Sequence, residues 1–312
     1  MEIERLYSAF LNATEISTDT RTLKKDALFF ALSGPNFDGN RFATEALEKG
    51  AQQVVVDDPK TLPNHPKILL VENTLTALQQ LATHHRKKLN TPIIALTGSN
   101  GKTTTKELIR EVLQKKFKVL ATSENLNNHI GVPLTLLQLT EQHKIGIIEM
   151  GANQLNEIRN LCEIALPNWG YITNFGKAHL EGFGSEAGVI QGKSELYKHL
   201  QQHQGQILIN GDDPKQLEQT KNHRVVQFGQ GKGSDFKIEY LPSDGNHLEL
   251  KFREFFFKSP LYGSYNFSNL AAAVTFGALF EVPLKDIQKA IAKYNSENNR
   301  SQKLSIQGLQ II

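Results

Sequence analysis

The chain has 312 residues, 39% hydrophobic and 21% charged, a balance that suits a soluble globular protein with room for two domains. A net charge of +3, with no long block of like charges, excludes the concentrated basic patch of a nucleic-acid binder. The only cysteine, Cys162, excludes an internal disulfide; the opening MEIERLYSAFLNA lacks the apolar core of a signal peptide, and no apolar run approaches the ~20 residues that cross a bilayer, so a cytoplasmic protein without membrane insertion is expected.

Residues 1–90 contain short β-like runs, ALFFAL (27–32), QQVVVDD (52–58) and KILLVE (67–72), with helical stretches at 41–49 and 74–88. The polar segment Lys87–Pro92 places a domain boundary near residue 90. Beyond it, the apolar strands 93–98, 118–122, 145–150, 171–175 and 206–210 alternate with helical segments near 102–116, 154–165 and 186–202. Buried strands alternating with helices predict a mainly parallel sheet covered on both faces. The stretch 224–262 changes character: RVVQFG, DFKIEYL, HLELKF and EFFFKSP read as antiparallel strands joined by Gly, Ser and Asp turns. Helices follow at 267–280 and 284–294, and KLSIQGLQII looks like a strand. The fold class is therefore α/β: a small N-terminal α/β domain (1–90), a P-loop-type domain with an antiparallel β extension (91–301), and the start of something further (302–312).

The strongest motif is Gly98-Ser99-Asn100-Gly101-Lys102-Thr103-Thr104, which follows an apolar strand and opens a helix. Glycines let backbone N–H groups approach phosphate oxygens, the helix N-terminus adds partial positive charge, and Lys102 adds a full one. The Thr103 hydroxyl is of the type that ligates Mg²⁺. The general phosphate-loop pattern has glycine where Leu96 stands, so this is the shorter form T-G-x-x-G-K-T. Glu149, at the end of the strand Ile147-Ile148-Glu149, stands where open α/β sheets place ligand-contacting groups; it reads equally as a helix cap until the phosphate loop is considered. His179 lies just past another strand, with the chemistry of a metal ligand or phosphate donor or of a solvated histidine. Lys193 by itself reads as an ordinary solvated helix lysine. Asn266 and Asn269, ahead of an alanine-rich helix, read as caps or as amides offered to a base or ribose. Asn125, Asn128 and Arg300 are similar polar loop residues.

In this order, the segments TDTR (18–21), LFFALSGPNFDGNRF (28–42), LTGSNGKTTTKELI (96–109), ENLNNHIGVPLTLL (124–137), IIEMGANQLNEI (147–158), ITNFGKAHLEGFGS (172–185), GKSELY (192–197) and YGSYNFSNLAAA (262–273) resemble the Mur ligase family over essentially the whole chain. The EMGA and AHLEGFGS forms resemble its dipeptide-adding branch. The resemblance implies an ATP-dependent ligase of peptidoglycan synthesis, monomeric, with UDP-MurNAc-tripeptide and D-alanyl-D-alanine as substrates. It implies two Mg²⁺ sites, Thr103 and Glu149 at one and His179 at the other, with Lys193 carbamylated by CO₂ as an anionic metal ligand. Catalysis would then fall to Lys102, Glu149, His179 and Lys193. ATP would lie on Gly98–Thr104, with Asn266 and Asn269 on the adenine side and Arg300 near the phosphates. Asp19, Thr20 and Arg21 align with a nucleotide-sugar motif that usually carries serine in the middle. Asp38, Gly39 and Asn40 form a second such patch, with Asn40 where the family more often has histidine. The loop residues Asn125 and Asn128 are placed with the same substrate.

Family members continue into a further domain that holds the amine substrate, so the resemblance also implies that the 312 residues alone are a weak ligase or an inactive one. Two other readings stay open. A folylpolyglutamate synthase-like ligase shares the ATP domain but starts close to its phosphate loop. A non-catalytic nucleotide-sugar-binding remnant would retain these motifs only briefly. A P-loop kinase or GTPase would need base-recognition and switch segments that are not evident here.

Overall fold

The computed structural model describes residues 3–242 and 247–294, and the backbone of 304–306 and 309–311. The chain begins with α1 (Ile3–Asn12), β1 (Ile16–Ser17), β2 (Leu28–Phe30), a small hairpin of β3 (Ser33–Gly34) and β4 (Phe37–Asp38), and a 3-10 turn at Gly39–Phe42. Then come α2 (Ala43–Glu48), β5 (Gln53–Val56), β6 (Ile68–Leu70), α3 (Thr74–Leu89), β7 (Ile93–Thr97), α4 (Lys102–Leu113), β8 (Val119–Ala121), α5 (Gly131–Leu136), β9 (Ile145–Glu149) and α6 (Glu157–Ala165). The second half holds β10 (Trp169–Ile172), α7 (Leu180–Phe183), α8 (Glu186–Lys193), α9 (Glu195–Gln202), β11 (Gln206–Asn210), α10 (Pro214–Gln219) and β12 (Val226–Gly229). It continues through β13 (Phe236–Leu241), β14 (Leu248–Phe252), β15 (Phe255–Ser259), α11 (Phe267–Leu279) and α12 (Leu284–Lys293), then β16 (Leu304–Ile306) and β17 (Leu309–Ile311).

Two compact units result. The first comprises residues 1–90, 124–140 and 163–166. Its sheet has the order β1-β2-β5-β6, with every pair parallel. Phe29, Ala31, Val54 and Val56 pack against Ala43 and Ala46 of α2. Helix α3 begins at the Asn73 cap, whose side chain accepts the Thr76 N–H, and ends at left-handed Asn90. It buries Leu78, Leu81, Ala82, His85 and Arg86 and packs against α1 and α5.

Contacts also tie two later segments to the first ninety residues. His85 Nε2 lies 2.9 Å from the Leu139 carbonyl, and the Arg86 guanidinium donates to the carbonyls of Ala165 at 3.1 Å and Leu166 at 3.3 Å. Segments 124–140 and 163–166 therefore belong with the first ninety residues, because α3 carries a buried apolar and polar face that they complete.

The second unit comprises 91–123, 141–162 and the chain from 167. Its nine-stranded sheet has the order β15-β14-β13-β12-β11-β10-β7-β9-β8. Every pair from β8 to β13 is parallel, whereas β13–β14 and β14–β15 are antiparallel. The expectation of an antiparallel block over 224–262 is thus half right. Strand β12 joins β11 in parallel, Leu208 opposite Val226, and β13 joins β12 in parallel, Phe228 opposite Phe236. The central strands β7 and β9 are buried throughout, the continuous apolar pattern of strands covered on both faces. Helix α11 buries nine of its thirteen residues and packs along α4, whose Leu108, Ile109, Val112 and Leu113 form one apolar face.

The helix expected over 186–202 is two helices, α8 and α9, meeting at Ser194. The final run forms two strands, β16 and β17, paired antiparallel with Leu304 opposite Ile311, rather than one strand. Arg300 lies outside the described residues.

Candidate functional site

Strand β7 delivers the chain to Gly98 at the C-terminal edge of the sheet, and α4 opens four residues later. Gly101, at φ 78°, is the N-cap of α4, and no side chain caps that end. A Cβ on Gly101 would stand 2.7 Å from Asn269 Oδ1, and one on Gly98, at φ 143°, would stand 1.9 Å from Thr173 Oγ1. Both positions therefore require glycine, for backbone conformation and for space. Lys102 Nζ folds back over the loop, 2.9 Å from the Gly98 carbonyl and 3.4 Å from that of Ser99. Thr104 is half-buried in the first turn of α4.

The loop is also held from the strand beside it. Ser99 N–H donates to the Asn174 carbonyl and Ser99 Oγ to the Gly176 carbonyl, at 3.1 and 2.8 Å. Asn100 N–H donates to Asn174 Oδ1 at 3.1 Å; the Asn100 carbonyl accepts from Asn174 Nδ2 at 2.9 Å and Thr173 Oγ1 at 2.6 Å. Two amides that a phosphate-loop reading assigns to a ligand are thus turned toward β10's extension. A phosphate is left the glycine-rich end and the first turn of α4.

Glu149 ends β9 and is 2% exposed. Its Oε1 stands 3.4 Å from Thr103 Oγ1, and its backbone N–H donates to Thr122 Oγ1 at 3.0 Å. Lys106, one helical turn beyond Lys102, is fully buried; its ammonium lies 2.6 Å from the Thr122 carbonyl, 3.2 Å from Glu107 Oε1 and 3.6 Å from Glu149 Oε2. Sequence reading passed over Lys106, Thr122, Thr173 and Asn174. The one available signal was a lysine on the helix face otherwise occupied by Leu108, Ile109 and Val112.

Lys193 closes α8 and is 1% exposed, its Nζ 5.5 Å from the centre of the Phe183 ring. Its ammonium makes no hydrogen bond or ion pair among the described residues. Burial, reinforced by the charge of Lys102, pulls its pKa down to about 8. The reading of Lys193 as an ordinary solvated lysine is therefore excluded. His179, by contrast, is exposed at φ 52° at the N-cap of α7, and its side chain makes no hydrogen bond or ion pair among the described residues. No group of three or more His, Cys, Asp or Glu side chains comes together among the described residues. The donor set that fits a hard cation is Thr103 with Glu149, a hydroxyl and a carboxylate that leave the remaining positions to water and phosphate oxygens.

Asn266 and Asn269 are buried and bonded inward. Asn266 Nδ2 donates to the Tyr262 carbonyl at 2.7 Å and its Oδ1 accepts from Asn269 Nδ2 at 2.9 Å; Asn269 Oδ1 accepts from Thr105 Oγ1 at 3.0 Å. They brace Gly101 and α4 from behind.

In the first unit, Asp19, Thr20 and Arg21 line a cavity of about 490 Å³ together with Thr18, Phe29, Phe37 and Phe42. Arg21 grips Asp19, with Nη2 2.6 Å from Oδ2, and holds that carboxyl down at about 2. Phe37, more than half exposed, stacks on Phe42 at 5.5 Å. Asn40 does not face this cavity as one of its lining residues: its amide donates to Asp38 Oδ1 and Asp57 Oδ1 and accepts from the N–H groups of Asp57 and Asp58. Asp38 caps the 3-10 turn at Gly39 by accepting the Asn40 N–H. Asn125 is exposed, and Asn128 Oδ1 accepts the N–H groups of Ile130 and Gly131 where α5 begins. No helix of the described residues is long and apolar enough to cross a membrane.

Two family models match the chain, one on either side of residue 90. Residues 96–277 match the Mur ligase middle domain, and residues 12–86 match the Mur ligase family catalytic domain. A curated relative from Bacillus subtilis, UDP-N-acetylmuramoyl-tripeptide–D-alanyl-D-alanine ligase, is 37% identical over 282 residues, which are 89% of this chain and 61% of the relative. The crystal structure of MurF from Acinetobacter baumannii superposes with a TM-score of 0.85 at 31% identity, covering 99% of this chain and 71% of that one. MurF from Thermotoga maritima, solved in complex with ADP, gives 0.83 at 28% identity, covering 97% and 71%. The chain thus spans about three fifths of the length of the curated relative. With a family model matched over more than half of its residues and the same fold in solved relatives, the chain belongs to the Mur ligase family.

Proposed function

We propose that the chain carries the nucleotide-binding and UDP-sugar-binding machinery of a cytoplasmic ATP-dependent ligase that joins D-alanyl-D-alanine to UDP-MurNAc-tripeptide. The observation that carries this reading is the glycine-bounded loop Gly98–Thr103, with Thr103 turned toward the buried carboxylate of Glu149. ATP lies with its phosphates over Gly101–Thr104. A free carboxylate is a poor electrophile because hydroxide is a poor leaving group. One carboxylate oxygen of the tripeptide therefore attacks the γ-phosphorus, the bond to the β-phosphate oxygen breaks, and ADP departs. The amine of the dipeptide then attacks the acyl carbon, gives up a proton, and phosphate leaves with the former carboxylate oxygen. Lys102 follows the charge on the transferring group. Thr103 and Glu149 would hold Mg²⁺, which would supply further charge neutralisation when bound. Lys193, if carbamylated, and His179 would offer donors to a second such ion. The Asp19–Arg21 cavity takes the uridine end of the sugar nucleotide.

The test is calorimetry with Mg²⁺–ADP on the full chain and on Lys102→Ala. Wild type binds and the variant loses at least tenfold in affinity; equal affinity removes the assignment.

A further inference from the structure

The hydrogen bonds around Ser99 and Asn100 point to a role for residues that lie outside the loop. We propose that Asn174 and Thr173 are positioning residues that fix the apex of the phosphate loop in its ligand-ready shape before nucleotide arrives. The inference rests on the reading that Gly98–Thr103 binds phosphate.

Three features support it. First, the Asn174 side chain pairs with both backbone groups of Asn100: it accepts the N–H at 3.1 Å and donates to the carbonyl at 2.9 Å. A single amide thus imitates one rung of a β-ladder, and it extends the β7–β10 pairing past the end of both strands, through Thr173 N–H to the Thr97 carbonyl at 2.9 Å. Second, Thr173 Oγ1 is 2.6 Å from the same Asn100 carbonyl and sits where a Cβ on Gly98 would fall. The hydroxyl therefore sets how closely the loop can approach β10. Third, the support is itself anchored. Lys215 Nζ, from α10, donates to the Phe175 carbonyl at 3.0 Å, and Gly176 accepts the Ser99 hydroxyl.

The chemical consequence concerns the Asn100 carbonyl. With two donors on it, that oxygen is held away from the phosphate side, where a carbonyl dipole would repel an anion. With Asn100 N–H also committed to Asn174, the peptide plane on either side of Asn100 is set, and so is the direction in which the Gly101 end of the loop faces. A flexible glycine loop ordered only on binding would lose affinity to the entropy of ordering. Here β10's extension carries that ordering in the free protein. Asn174 and Thr173 touch no substrate in this scheme; they act through Ser99 and Asn100.

The test uses Asn174→Ala and the near-isosteric Thr173→Val in the full chain, with Lys102→Ala as a control. Calorimetry reads ADP affinity and its entropy; a UDP-sugar titration and a thermal melt report on the rest of the molecule. The expected result is a loss of about tenfold or more in ADP affinity for both variants, carried by a less favourable binding entropy, with UDP-sugar affinity unchanged. Thr173→Val retains shape at a buried position, so it reads the hydroxyl even where Asn174→Ala unfolds. Wild-type ADP affinity in Thr173→Val overturns the proposal. So does a parallel fall in ADP affinity, UDP-sugar affinity and melting temperature, which marks a merely structural role. If Lys102→Ala also binds ADP like wild type, the phosphate-loop reading fails as well. If Lys102→Ala alone loses ADP, that reading stands and only this inference falls.

Discussion

A lysine with no access to water, Lys106, sits among Thr122, Glu107 and the candidate metal acid Glu149. Removing one member of a buried ionic group leaves the others uncompensated in a medium that solvates them poorly. Lys106→Met is therefore expected to destabilise the protein by about 3 to 5 kcal/mol in urea titrations; a loss below about 1 kcal/mol would mean the carboxylates are better hydrated than their burial indicates. Lys193 is the opposite case, a buried amine with no hydrogen-bond acceptor among the described residues. Its pKa of about 8 leaves roughly a tenth of it neutral at pH 7, several hundred times the neutral fraction of an ordinary lysine. At fixed dissolved CO₂, ¹³C-carbamate at this site should form near pH 8, where ordinary lysines are almost wholly protonated, and be missing in Lys193→Arg. A signal of the same size in Lys193→Arg would place the carbamate on ordinary surface lysines. The two lysines also divide what was legible in the sequence. The proposed phosphate loop Gly98–Thr103 stands out by its strand and helix context, and Glu149 becomes a candidate only beside it. Nothing in a helical GKSELY or KTTTKEL run says which lysine turns inward, since that depends on Phe183 and Thr122, distant in sequence.

Helix α10 has only six residues, so its ends decide whether it forms. Asp213 accepts the N–H groups of Lys215 and Gln216 at 2.9 and 3.4 Å, and Pro214 fills the first position, where no N–H is needed. Asp213→Ala is expected to cost about 1 kcal/mol. Because Lys215 holds the Phe175 carbonyl, the same change should speed amide exchange at Phe175–Gly176 more than across β11, and uniform exchange would uncouple the helix from that loop. Elements of this kind were partly readable. The strands β7, β9 and β11 match the apolar runs to within a residue, and β2 and β5 lie inside longer runs. The directions of β12 and β13 were not readable, because alternation identifies a strand but not its partner, and the six-residue link 230–235 looks like a hairpin connection. The break between α8 and α9 was hidden because Ser194 interrupts no hydrophobic period.

At the scale of the whole molecule, the first unit is discontinuous in sequence, and that alters how its ligand binding can be measured. Residues 1–90 look like a separable domain, with their own four-stranded sheet and a polar boundary ahead of Thr91. Yet α3 turns Leu78, Leu81, His85 and Arg86 into a surface that 124–140 and 163–166 complete. Composition could not reveal this, because LNNHIGVPLTLL reads locally as a loop and a short helix wherever it packs. In a 1–90 fragment the Arg86 guanidinium loses the carbonyls of Ala165 and Leu166, and His85 loses that of Leu139. An apolar helix face is uncovered at the same time, at about 25 cal/mol for each Å² returned to water. Set against the few kcal/mol that stabilise a small domain, this should leave the fragment without a cooperative melt. The full chain should show a cooperative one. It should also weaken as pH falls below about 6.5: burial lowers the His85 pKa in the fold, so the unfolded chain takes up the proton first and stability is lost on acidification. His85→Gln should flatten that dependence. The measurement is a thermal melt of the 1–90 fragment and of the full chain between pH 5 and 8. A fragment that melts cooperatively and as high as the full chain would show that residues 1–90 fold without the two later segments.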